Sequence, residues 1–150
     1  MRRGTAPTDA DGVRSLVVDT SAAVAVLFDE PGADELIEAL ESTSVRVMSA
    51  ATQVELGIVV EARLGPAGID VVPRFIRDAG VDVVVVDADN AERALGGWRR
   101  FGKGRHRAGL NLGDCFVYAL ADQTGYPVLC TGDDFGATDV EVVPLASRSR

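Results

Sequence analysis

Five acidic residues in this 150-residue chain, Asp19, Glu55, Asp114, Asp133 and Asp134, stand where a carboxylate can do chemistry. Asp19 directly follows the apolar run Leu16, Val17 and Val18, which places it at the rim of a strand. Thr20 and Ser21 behind it are both good helix-capping types, so the next helix has a cap without Asp19. Glu55 lies among Val54, Leu56 and Ile58 in a helical stretch with few other charges. Asp114 falls in the first turn of a helix opened by Asn111, and Asp133 and Asp134 follow a strand ending at Cys130. Singly, each Asp reads as a helix-start residue complementing the macrodipole. Gathered at one rim they repel one another unless a cation joins them, and hard divalent ions prefer oxygen ligands. Magnesium, or manganese in its place, is the expected cofactor, and hydrolysis of phosphodiesters is the chemistry such a site supports.

The elements that must position these acids follow from short Val-rich runs alternating with helical patterns, the alternation of a parallel sheet covered by helices on both faces. The expected fold is α/β, a three-layer α/β/α sandwich with a mostly parallel central sheet. Strands are expected at 16–19, 45–48, 81–87, 127–130 and, at an edge, 140–143. The run VDVVVVD from Val81 to Asp87 has the continuous Val content of a strand buried on both faces. Helices are expected from Thr20 or Ser21, over 33–40, from a Ser49 cap to Leu64, over about 69–79, from an Asp89 or Asn90 cap through Trp98, and from Asn111 to a stop at Gly125. In a parallel sheet, catalytic groups gather outside the carboxyl ends of the strands, where these acids lie.

Composition sets the limits. With 47% hydrophobic and 25% charged residues the chain reads as one globular domain, large enough to bury a core without disulfide or zinc staples. Residues 1–14 read as a disordered lead, 15–145 as the domain and 146–150 as a disordered tail. Cys115 and Cys130 stand fifteen apart without zinc spacing and are expected to be reduced and buried. No window approaches the ~20 apolar residues a bilayer demands, nor is there a signal-peptide core, so a cytoplasmic protein without membrane contact is expected. A net charge of −8 is the reverse of bulk nucleic-acid binding, leaving one basic run, Arg99, Arg100, Lys103, Arg105 and Arg107, as a local phosphate-binding candidate. His106 is the only histidine, so two-histidine acid–base catalysis is unavailable. Trp98, Phe101, Phe116 and Tyr118 read as core or interface packing.

Four segments in order, VVDTSAAVAVL, VELGIVVEARLG, GKGRHRAGLNLGDCFVYALA and PVLCTGDDFGATDV, resemble the PIN-domain nucleases, and specifically the VapC toxins of bacterial toxin–antitoxin pairs. The resemblance runs from about Leu16 to Val143. Carried over by residue, it implies that Asp19, Glu55 and Asp114 are the catalytic acids, with Asp19 and Asp114 holding the metal. Asp133 or Asp134 would be the fourth acid, with Asp139 a further candidate, and Ser21 would orient a carboxylate or a water. The chain departs from the family in the fifteen residues that precede Leu16. The resemblance also implies a magnesium-dependent endoribonuclease acting on RNA, inhibition by a VapB-like antitoxin, and a homodimer. The surplus apolar positions at 33–40 and 51–60 suit antitoxin or dimer contacts. It gives the basic run a role as a groove for RNA phosphates.

Two other readings are open. A catalytically silent PIN-like binding subunit would keep the fold and use its carboxylates only at an interface. A receiver-type signalling module would need a Lys after a late strand, and the only Lys, Lys103, lies in the basic run.

Overall fold

The computed structural model describes residues 14–146. The expectations for the lead and tail lie outside the described residues except at Arg14 and Ala146. The Arg14 carbonyl accepts from the Ser44 and Val45 N–H groups. Four strands, β1 (Ser15–Val18), β2 (Val45–Ser49), β3 (Val81–Val84) and β4 (Val128–Leu129), form a wholly parallel sheet in the order β3-β2-β1-β4.

Alternation along the strands separates two cores. Leu16, Val18, Met48 and Leu129 point into one layer, where they pack with residues of α1 (Thr20–Leu27), α2 (Ala33–Glu41), α3 (Ala50–Leu64) and α4 (Val71–Asp78). Val17, Val47, Val128 and Cys130 point into the other, against α5 (Ala88–Phe101) and α6 (Leu112–Thr124). This is the α/β/α sandwich the alternation predicts. Both cysteines are buried and neither forms a disulfide. Among the described residues no helix is long and apolar enough to cross a membrane.

The chain winds outward from β1 to β2 and β3 on one side, then returns through α5 and α6 to set β4 on the other. That reversal leaves a crevice between β1 and β4 at the carboxyl ends of the strands, the place where open α/β sheets bind ligands. Gly125 closes α6 with φ 75°, a left-handed conformation that glycine adopts without steric cost.

Three expectations are corrected. The Val-rich run is an edge strand of four residues: β3 has β2 as its single neighbour, so Val83, Val85 and Val86 remain exposed instead of buried on both faces. The cap of α5 is Asp87, which accepts from the Asn90 N–H at 2.8 Å, in place of Asp89 or Asn90. Segment 140–143 does reach the sheet edge beside β4, but only as a single parallel bridge between Val128 and Val142.

The burial contrast is testable by urea denaturation. Leu56, fully buried under the sheet, should cost about 2–5 kcal/mol when cut to Ala. Val85→Ala on the exposed run should stay within about 0.5 kcal/mol of the parent, a result incompatible with a strand covered on both faces.

Candidate active site

Asp19 follows β1 into the crevice, only 5% exposed, and contrary to the sequence reading it is itself the N-cap of α1. Its backbone is extended, as a cap requires, and its Oδ2 accepts from the Ser21 N–H at 3.0 Å and from the Ser21 hydroxyl. Thr20 and Ser21 cannot serve as the cap because both already lie in the helix. Both Ser21 bonds converge on Oδ2, one of the two carboxylate oxygens. The Ser21 hydroxyl in turn accepts from the Thr131 N–H at 3.0 Å, tying the loop after β4 to the end of β1.

Asp114 repeats the arrangement on the other wall. Asn111 caps α6 by accepting from the Asp114 N–H at 2.9 Å, and Asp114 Oδ2 accepts from the Asn111 N–H at 3.0 Å, a reciprocal capping box. Again a carboxylate oxygen is engaged with backbone. Glu55, in the second turn of α3, accepts from the Thr20 hydroxyl through Oε1. It also lies against the α-carbon of Gly113 in the first turn of α6.

The electrostatics register the crowding. Burial pushes the Asp19 carboxyl above its ordinary range; the two Ser21 hydrogen bonds pull it back and the charge of Glu55 raises it further. Asp114 is pushed up to about 6, mainly by burial and then by the charges of Asp19, Glu55 and Asp134, against the lowering effect of the Asn111 N–H. Of the three positions open for a fourth acid, Asp134 is thus the one whose charge acts on Asp114. Asp139 is engaged elsewhere, accepting from the Tyr118 hydroxyl at 2.8 Å and pairing with Arg100 at 3.0 Å. Asp133 is exposed in the loop before the short 3-10 turn Phe135–Ala137.

Among the described residues no three acidic, His or Cys side chains close on one point as a ready-made metal cage. The rim is instead an open set of hard oxygen donors bearing like charge. That suits magnesium, which keeps several waters and takes one or two carboxylates rather than a closed protein cage.

The five cations of the basic run are divided by the fold. Arg100 faces Asp139 and lies over the Phe101 ring, and Arg105 lies over Trp98 with its Nε donating to the Arg99 carbonyl. All five residues, Arg99, Arg100, Lys103, Arg105 and Arg107, are exposed, so these contacts lie at the surface. Lys103 shares an apolar cavity of about 500 Å³ with Trp98, Asn111 and Leu112. A second cavity, of about 550 Å³, continues from Asn111 and Leu112 to Glu55. The His106 Nδ1 accepts from the Ala108 N–H at 3.0 Å and its ring meets Phe101 edge-on, so the one imidazole shapes the loop.

Sequence reasoning missed Thr20 and Gly113. Thr20 had a visible signal, a hydroxyl one residue from the first acid. Gly113 had only the placing of a glycine inside the first turn of a helix, a position without need of φ freedom.

A family profile described as PIN domain matches residues 16–141. The chain is 48% identical to Ribonuclease VapC30 of Mycobacterium tuberculosis over 130 residues, 87% of this chain and 99% of that one. Its fold resembles the crystal structure of M. tuberculosis VapC20, titled a sarcin–ricin loop cleaving toxin, with a TM-score of 0.66, 22% identity and coverage of 86% and 99%. A toxin–antitoxin complex from Klebsiella pneumoniae is also similar, with a TM-score of 0.64, 20% identity and coverage of 86% and 97%.

The raised carboxyl of Asp114 sets a sign for pH dependence. Between its ordinary value of 3.8 and about 6 the folded state binds more protons than the unfolded, so this group's contribution to stability falls as pH rises through that window. In chelator-treated protein the melting temperature of Asp114→Asn should therefore gain on the parent from pH about 4 to about 6. A difference that shrinks over that interval would be incompatible with the crowded carboxyl.

Proposed function

The chain belongs to the PIN-domain family, in its VapC branch, and from that premise and its acidic rim we propose that it is a metal-dependent endoribonuclease, the toxin of a type II toxin–antitoxin pair. The observation that carries the reading is that Asp19 and Asp114 stand at helix starts beside the sheet's reversal point, where the charges of Asp19, Glu55 and Asp134 act on Asp114. Asp19 and Asp114 would hold a magnesium ion, or manganese in its place, through their carboxylates, with Glu55 and Asp134 balancing its charge. A divalent ion bound there would offset phosphate charge and lower the pKa of water, the chemistry phosphodiester hydrolysis needs. Ser21 orients Asp19 and, through Thr131, keeps the loop bearing Asp133 and Asp134 at the rim.

RNA phosphates would meet Arg99, Lys103 and Arg107, while Arg100 and Arg105, held against Asp139 and Trp98, give the loop its shape. Attack by water leaves a 5′-phosphate and a 3′-hydroxyl; attack by the ribose 2′-hydroxyl would leave a cyclic phosphate. An RNA substrate and two cysteines outside any disulfide fit the cytoplasm. The similar structure titled a toxin–antitoxin complex supports a VapB-like antitoxin as partner. A second copy of the chain would sit on the apolar ridge beside Glu55, a reading supported by Val54, Ile58 and Leu112 being 62%, 65% and 77% exposed.

Purified protein should cut a mixed RNA only when magnesium or manganese is supplied, leaving 5′-phosphate ends, and Asp19→Asn and Asp114→Asn should lower the rate by at least about 100-fold. Equal cutting by all three preparations, or cyclic phosphate ends, would reject the mechanism. No cutting, together with no melting-temperature shift on magnesium addition, would favour a silent binding subunit. Sedimentation velocity tests the ridge: the parent should run as a dimer and Ile58→Glu as a monomer, and a monomeric parent would overturn the assignment.

A further inference from the structure

Glu55 differs from the two aspartates in being a long side chain with no backbone N–H among its contacts, yet it is held from two sides. Thr20, the first residue of α1 and 9% exposed, donates its hydroxyl to Oε1. From the opposite side Gly113 of α6 comes so close that a Cβ built on it would stand 2.2 Å from Oε2, 2.7 Å from Cδ and 2.9 Å from Oε1. The obstructing atoms are the carboxylate itself, so a Cβ could be admitted only by moving the acid. Gly113 has no conformational reason to be glycine, because it lies in the first turn of a regular helix and is not among the glycines with positive φ. There, alanine has the better helix propensity.

We propose that Thr20 and Gly113 are positioning residues that clamp the Glu55 carboxylate, Thr20 by a hydrogen bond and Gly113 by the space its missing side chain leaves. The proposal rests on the nuclease reading for its purpose and on geometry alone for its existence. A free glutamate samples many rotamers, and ordering such a side chain costs free energy that reaction must otherwise supply. The clamp meets that cost on folding. It also joins α1, α3 and α6 at one point, so the same contacts that aim Glu55 set the spacing between the crevice walls carrying Asp19 and Asp114.

The test is a thermal double-mutant cycle on the full chain, backed by kinetics. In the Glu55→Ala background, where the obstructing carboxylate is gone, Gly113→Ala should raise the melting temperature, because only helix propensity remains. In the parent the same substitution should raise it less or lower it, because the new methyl must first displace Glu55. A difference between the two backgrounds is the expected result. An equal effect of Gly113→Ala in both backgrounds, of either sign, would overturn the clamp. Independently, Thr20→Val, which keeps shape and loses the hydroxyl, should lower kcat about tenfold with KM little changed, and Thr20→Ser should restore it. Failure of serine to restore kcat would remove Thr20 from the proposal. The thermal cycle does not need cleavage, so a background-dependent effect without nuclease activity would count against the nuclease reading alone. Metal-dependent cutting with equal effects in both backgrounds would count against the clamp alone.

Discussion

Like charges have to share the crevice at the end of β1, and much of the local architecture resolves that constraint. Asp19 and Asp114 each commit one oxygen to the N-terminal amides of a helix, where the macrodipole offsets negative charge. A helix-capping role and a place at the rim of the crevice are therefore compatible in one carboxylate. Burial first, and then the remaining repulsion, raise proton affinity, most plainly in Asp114, and a divalent ion would offset the charge.

The sheet topology supplies the meeting place. With β1 hydrogen-bonded to β2 on one side and β4 on the other, the winding reverses beside Asp19 and the loop after β4 must pass close to it. Ser21 serves as the hinge pin of that approach, accepting from Thr131 while donating to Asp19. The two cores on opposite faces of the sheet anchor the walls separately, α1 and α3 in one and α6 in the other. Their rigidity is what allows a contact as close as that between Glu55 and Gly113 to hold a side chain in place.

Away from the crevice, apolar surface is left over at the β3 edge and along α3 and the start of α6. The second of these adjoins Glu55, so an occupant there would also border the site. The basic run, by contrast, is exposed at all five cations, two of which, Arg100 and Arg105, are also held against Asp139 and aromatic rings.

The sequence by itself determined the layer architecture, because alternating Val and Leu along 16–18, 45–48 and 128–130 can be buried on both faces only between two helical layers. It also placed Asp19, Glu55 and Asp114 on their elements, because caps and strand ends are local chemistry. Tertiary structure alone decided what depends on neighbours far along the chain. The run at 81–87 has the composition of a central strand, yet pairing order makes it an edge. Asp19 caps α1 although two better-placed hydroxyls follow it, because the helix begins at Thr20 itself. Asp134 is set apart from Asp139 only once Tyr118 and Arg100 claim the latter. Gly113 acquires a reason only when α3, more than fifty residues earlier, lays the Glu55 carboxylate against its α-carbon, since no spacing rule reports the distance between two helices.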